Sequence, residues 1–275
     1  MATIDKNYSD YLVIFVDLLG SKSRYETKSF NEIYDTMLLF HSEFKKNANN
    51  DMDYRAYERK IFTFSDCAYI FYSFKNEISD EQKDEGMLFT VALCNTEPIL
   101  LKLLSKNILF RGGITYGKAF ADSQDNIFFG PAVKDAYNME DKDAVFPRII
   151  IDEFVAEKAI NSIEENKYKI LGNPQFLKCH PEYILCVASQ VLPQIPETGD
   201  GIIEKDDDSN YILNYLFSPE NNISFPGIYL SSKEFMEDVL SYINDQIKVT
   251  QDSKVLEKLN YSNNFIQSKL DSLAK

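Results

Sequence analysis

At 275 residues, 44% of them hydrophobic, the chain has enough apolar material for one large domain or a domain with an appendage. Its net charge of -14, without a stripe of clustered Lys and Arg, excludes direct, sequence-independent binding to nucleic acid, which depends on phosphate contacts. An acidic chain that acts on a phosphate-bearing substrate needs divalent cations to manage the repulsion. The opening MATIDKNYSD lacks a basic segment followed by an apolar core, and no apolar run approaches about 18 residues, so no membrane span and a cytoplasmic location are expected.

In chain order, Tyr11 to Val16 is a continuous apolar run that predicts a strand buried on both faces. Phe30 to Lys45 has helical spacing through Ile33, Met37, Leu38 and Phe44. Lys60 to Phe64 and Ala68 to Phe74 predict a hairpin around Ser65, Asp66 and Cys67. Gly86 to Leu104 predicts a long helix kinked or broken at Pro98. ILFRGGITYGKAF then reads as a strand entering another hairpin, and FFGPAVKDAYNME opens a helix behind Pro131. The order βαββαβ predicts an α+β, ferredoxin-like core in which the third strand inserts between the first two. In that arrangement the end of strand one, carrying Asp17, and the turn carrying Asp66 lie at one edge of the sheet. Strand four begins at the same edge with Arg111. Two carboxylates and an arginine there suit a metal and a phosphate.

The rest of the chain says less. IPETGDGIIEKDDDSN reads as a solvated loop or hairpin tip in which Asp206, Asp207 and Asp208 form an exposed turn, and YILNYLF as a short strand. Ser231 to Ala274 predicts two helices with a break near Asp252. GGITYGK has phosphate-loop spacing, but Ala119 follows where a hydroxyl is needed, so the strand reading prevails. His41 and His180 are expected to be structural or surface residues. Cys67, Cys94, Cys179 and Cys186 contain no CxxC pair, so neither a disulfide framework nor a zinc site is expected.

VIFVDLLGSK, TFSDCAYIFY, FRGGITYGKAF and FGPAVKDAYNME, in this order, resemble the class III nucleotide cyclase catalytic domain over about residues 10 to 152. The short form with an FSD motif and an AYxxE helix is most similar to the pyrimidine cyclases of bacterial anti-phage (Pycsar) signalling. The resemblance implies a cyclase core over 1–152 and a mostly helical C-terminal extension over 153–275. It also implies that Asp17, Asp66 and the Leu18 carbonyl hold two Mg²⁺ or Mn²⁺ ions. The amides of Leu19, Gly20, Ser21 and Lys22 would cradle the triphosphate. The product would be a 3',5'-cyclic pyrimidine nucleotide from UTP or CTP, with UTP favoured, acting through a downstream effector in antiviral defence. A homodimer with shared sites is also implied.

Departures from the family pattern matter. Phe62 and Ile127 replace two adenine-reading polar residues, which disfavours adenylate specificity. Lys134 and Asn138 stand where purine cyclases carry Asn and Arg, leaving Arg111 or Lys134 to stabilise the transition state. Base selection would fall to Tyr54, Arg55, Tyr57 and Lys60 beside Phe62. A purine cyclase with an unusual pocket, or a catalytically silent dimeric nucleotide-binding module, are the alternatives.

Overall fold

The computed structural model describes residues 7–48, 56–171, 201–216 and 231–273. Strand β1 (Ser9–Leu18) lies between β3 (Cys67–Phe74) and β4 (Phe110–Asp122), antiparallel to both. Its side chains are buried on both faces from Tyr11 to Val16, which is why its sequence is an apolar run rather than an alternation. Strand β2 (Tyr57–Phe64) pairs with the outer side of β3. The order β2-β3-β1-β4 is the ferredoxin-like arrangement read from the sequence, and the fold is α+β.

The sheet does not stop at β4. Strand β6 (Ile149–Ile151) runs parallel to β4, followed outward by β8 (Tyr211–Leu213) and β7 (Ile203–Lys205). Residues assigned to the extension thus add strands to the core sheet. Strand β5 (Ile127–Phe129) closes a hairpin on the far end of β4.

One face of the sheet carries the main core. Leu12, Ile14 and Val16 of β1 pack with α2 (Phe30–Ala48), α3 (Glu85–Leu104) and α5 (Glu153–Leu171) in one buried cluster. Helix α3 continues through Pro98 without ending. Against the sequence expectation it is long and apolar enough to cross a membrane; here 72% of that window is buried inside the fold. Among the described residues, α5, β6, β7 and the short α1 (Ser21–Thr27), whose polar SKSRYET carries no apolar periodicity, escaped the sequence reading.

The opposite face of β1, through Tyr11, Val13 and Phe15, is covered by Ala132 and Ala136 of α4 (Pro131–Asn138). Gly113 makes that approach possible: a Cβ there would lie 2.5 Å from the Ala136 carbonyl oxygen and 2.7 Å from Met139 Cβ. At the C-terminus, α6 (Ser232–Val249) and α7 (Ser253–Leu273) are separated where the sequence predicted, because the Asp252 carboxylate accepts from the amides of Lys254 and Val255.

The acidic run 206–208 is not simply a solvated turn. Asp206 is buried in ion-pair contact with Arg148, which also donates to Asp208 Oδ2 at 2.9 Å. The turn therefore does bind a cation, but that cation is the protein's own guanidinium. Cys67 is free, while Cys94 is disulfide-bonded, contrary to expectation; Cys179, His180 and Cys186 lie outside the described residues.

Candidate active site

Antiparallel pairing places Asp17 beside Cys67 on β3 and beside Arg111 on β4, so these three share one row across the sheet. Asp17 Oδ2 lies 3.5 Å from both Nε and Nη2 of Arg111. Asp66 occupies the β2–β3 turn directly above this row. Its carbonyl accepts from the Leu18 amide at 2.9 Å, and its charge acts on Asp17. The convergence expected from the βαββαβ order is therefore present: two carboxylates and a guanidinium meet at one edge.

The turn itself is held by a residue the sequence left as merely structural. His41 on α2 places Nδ1 2.8 Å from Thr63 Oγ1 and Nε2 2.8 Å from the Ser65 carbonyl oxygen. A carbonyl only accepts, so Nε2 carries a proton. Ser65 is left-handed, with φ 50°, and the bond to His41 anchors it just before Asp66.

A third carboxylate joins the group. Beyond α4 the chain makes one wide turn, 139–143, that drops Glu140 onto Arg111; only 3% of the Glu140 side chain is exposed, and it contacts Arg111 Nε. Glu140 is the last letter of the motif FGPAVKDAYNME, yet only the packing of α4 over Gly113 brings it here. Burial raises Glu140 from its ordinary value to about 7, with Arg111 opposing and Asp17 adding to the rise. Asp17 is likewise raised to about 6, first by burial, then by the charge of Asp66, while Arg111 pulls it down. The site thus holds more negative charge than Arg111 neutralises, the condition under which a divalent cation is attracted. Cys67 is pushed up to about 11 by burial and these carboxylates, so its thiol stays protonated.

Among the described residues no group of three or more His, Cys, Asp or Glu side chains gathers as a cation cage. Asp17 and Asp66 nevertheless fit Mg²⁺ or Mn²⁺, since such ions take one or two carboxylates and complete their shell with water and substrate phosphate. The Leu18 carbonyl accepts from Ser21 Oγ at 3.0 Å and keeps a second lone pair. The Leu19 amide is committed to the Leu109 carbonyl at 2.9 Å, so it is not open to a phosphate. Gly20, at φ 82°, turns the chain into α1, whose first turn contains Ser21 and Lys22.

The expected base-reading residues separate by face. Tyr57 points into the helix-covered core, 7% exposed, its ring against Tyr72, and so cannot share a pocket with Phe62. Strand alternation is the reason: 57 and 62 differ by an odd number of residues. Phe62 is on the α4 face but sealed beneath Phe71 and Phe128. Lys60 shares that face, bound to Tyr11 Oη at 3.2 Å and Glu58 at 3.0 Å. Tyr69, packed 4.5 Å from the Phe15 ring, is a partly exposed aromatic on this face and was not singled out by the motif reading. Lys134 is exposed on α4 and Asn138 half-buried at its end. Tyr54 and Arg55 lie outside the described residues.

No family model matches the chain, and no curated relative does. Solved structures that resemble it include the guanylyl cyclase Cya2, at 15% identity and TM-score 0.41 over 56% of this chain and 79% of that one. A second is the monomeric guanylyl cyclase domain of the RhoGC fusion protein from the aquatic fungus Blastocladiella emersonii, at 17% identity and TM-score 0.40 over 57% of this chain and 88% of that one.

Proposed function

We propose that this chain is a nucleotide cyclase that converts a pyrimidine triphosphate, UTP or CTP, to its 3',5'-cyclic monophosphate and pyrophosphate. The observation that carries the reading is the convergence of Asp17 and Asp66 beside Arg111 at one sheet edge. Asp17 and Asp66 would hold two divalent cations, Mg²⁺ or Mn²⁺. When bound, such ions lower the pKa of the ribose 3'-hydroxyl and stabilise the leaving pyrophosphate. Arg111 is placed to exchange its contact with Asp17 for the incoming phosphates, a charge-assisted contact in a half-buried setting. Glu140 holds the Nε side of the same guanidinium, and so orients it.

Phe62 in place of a polar base-reading side chain supports a pocket that does not read adenine. The family resemblance supports a homodimer with shared sites, in which Lys134, exposed on α4, would serve the site of the partner copy. A cytoplasmic antiviral messenger synthase is the biological setting that the sequence motifs support.

The test is a product assay: purified full-length protein, Mn²⁺ and each ribonucleoside triphosphate, run beside Asp66→Ala. A cyclic pyrimidine nucleotide that disappears in the variant is the expected result. A cyclic purine product would overturn the base assignment, and no product from a folded dimer would overturn the cyclase reading.

A further inference from the structure

Helix α7 follows the α4-side face of the sheet from its outer strands toward the acidic edge. Lys269 is ion-paired with Glu204 on β7; Phe265 packs near Ile150 and Ile212 and lies 5.3 Å from the Tyr215 ring. Tyr261 stacks on Phe146 at 4.7 Å, 9° from parallel, with the Arg148 guanidinium 5.7 Å from its centroid. Lys258, Tyr261, Phe265 and Lys269 are spaced by three or four residues, so they form one stripe on the helix. Arg148 stands beside Arg111 when the β6–β4 register is continued by one residue, so the next position along the stripe after Tyr261 lies toward Arg111. That position is Lys258. Its half-buried ammonium acts electrostatically on Asp17 and Glu140 and is opposed by Arg111.

We propose that Lys258 is a polyphosphate-binding residue of this site, supplied by the C-terminal extension as the second cation beside Arg111. The nucleotide as ligand rests on the cyclase reading; the anion site does not. Two adjacent cations are an unfavourable arrangement unless anions bridge them. Asp17 and Glu140, in contact with Arg111 and acting on Lys258 at longer range, offset that repulsion in the free protein, and the phosphate oxygens of a bound ligand would do so directly. Helix α7 is thereby part of the site and not an appendage. Leu259 and Ile266 are buried where α7 packs on α6, and this fixes the helix and so the position of Lys258.

The probe is inorganic pyrophosphate with Mn²⁺, titrated calorimetrically into full-length wild type, Lys258→Gln and Lys258→Arg. Lys248→Gln is the control, because that lysine is exposed and paired with Asp245 on α6. Lys258→Gln should weaken pyrophosphate binding on the order of tenfold, the scale of one charge-assisted hydrogen bond, while Lys258→Arg restores most of it and the control matches wild type. A lysine that only neutralised Glu140 would alter the melting temperature and leave pyrophosphate affinity unchanged, and that result overturns the proposal. It would do so even if the enzyme makes a cyclic nucleotide, in which case the proposed function stands. Lysine-dependent pyrophosphate binding without cyclisation of any nucleotide would uphold the anion site and overturn the cyclase. A folded wild type that binds no pyrophosphate overturns the proposal as well.

Discussion

Asp17→Asn should stabilise the metal-free protein, although it removes a carboxylate that touches an arginine. Only 21% of the Asp17 side chain is exposed, and burial with the neighbouring Asp66 charge outweighs Arg111, raising its pKa from 3.8 to about 6. The folded state therefore holds the Asp17 proton more tightly than the unfolded chain. Stability falls as pH rises between those two values, and the cost of ionising Asp17 is complete above about pH 6. At about 1.36 kcal/mol per unit the cost is on the order of 2–3 kcal/mol. Asparagine has the shape of the neutral acid and never ionises. In EDTA at about pH 8 the variant should melt roughly 5–10 °C above wild type, using ~2–4 °C per kcal/mol for a chain of this size. Near pH 4 the two should coincide, because both proteins then carry a neutral group at this position. Mn²⁺ should raise the wild-type melting temperature at about pH 8 and leave the variant behind, since a ligand stabilises only the state that binds it. Thermal melts across pH with and without Mn²⁺ make the measurement. An equal or lower melting temperature for Asp17→Asn at high pH in EDTA, or a difference independent of pH, would refute the account.

Gly113→Ala should cost about 1–3 kcal/mol in chemical denaturation, because its Cβ would lie 2.5 Å from the Ala136 carbonyl oxygen, and the displaced α4 should also draw Glu140 off Arg111. Arg148→Ala should cost about 3–5 kcal/mol by the same measurement, since Asp206 is left charged, buried and unpaired. His41→Ala removes both side-chain hydrogen bonds to the β2–β3 hairpin and should cost on the order of 1 kcal/mol. If His41 positions Asp66, that variant should also show a weaker Mn²⁺-induced thermal shift, with His41→Gln intermediate; an undiminished shift would separate His41 from the site.

Some of this architecture was written locally in the sequence. The unbroken apolar run of β1, the alternation around Ser65 and Asp66, and the periodicity of α2 and α3 follow from how much of each element is buried and on which side. From their order alone Asp17, Asp66 and Arg111 could be brought to one edge, since strand direction is conserved along a ferredoxin-like path. What the sequence could not decide was set by contacts between distant segments. Glu140 reaches Arg111 because Gly113 lets α4 settle on the sheet. Lys258 nears them because α7 is docked through Tyr261, Phe265 and Lys269 on strands far from it in the chain. Tyr57, a base-reading candidate by sequence, is lost to the site because it lies five residues from Phe62 on the same strand and alternation turns it to the other face. Local patterns report which face of an element is buried; which side chains from different elements share a volume depends on packing, and charge and pKa follow from that shared volume.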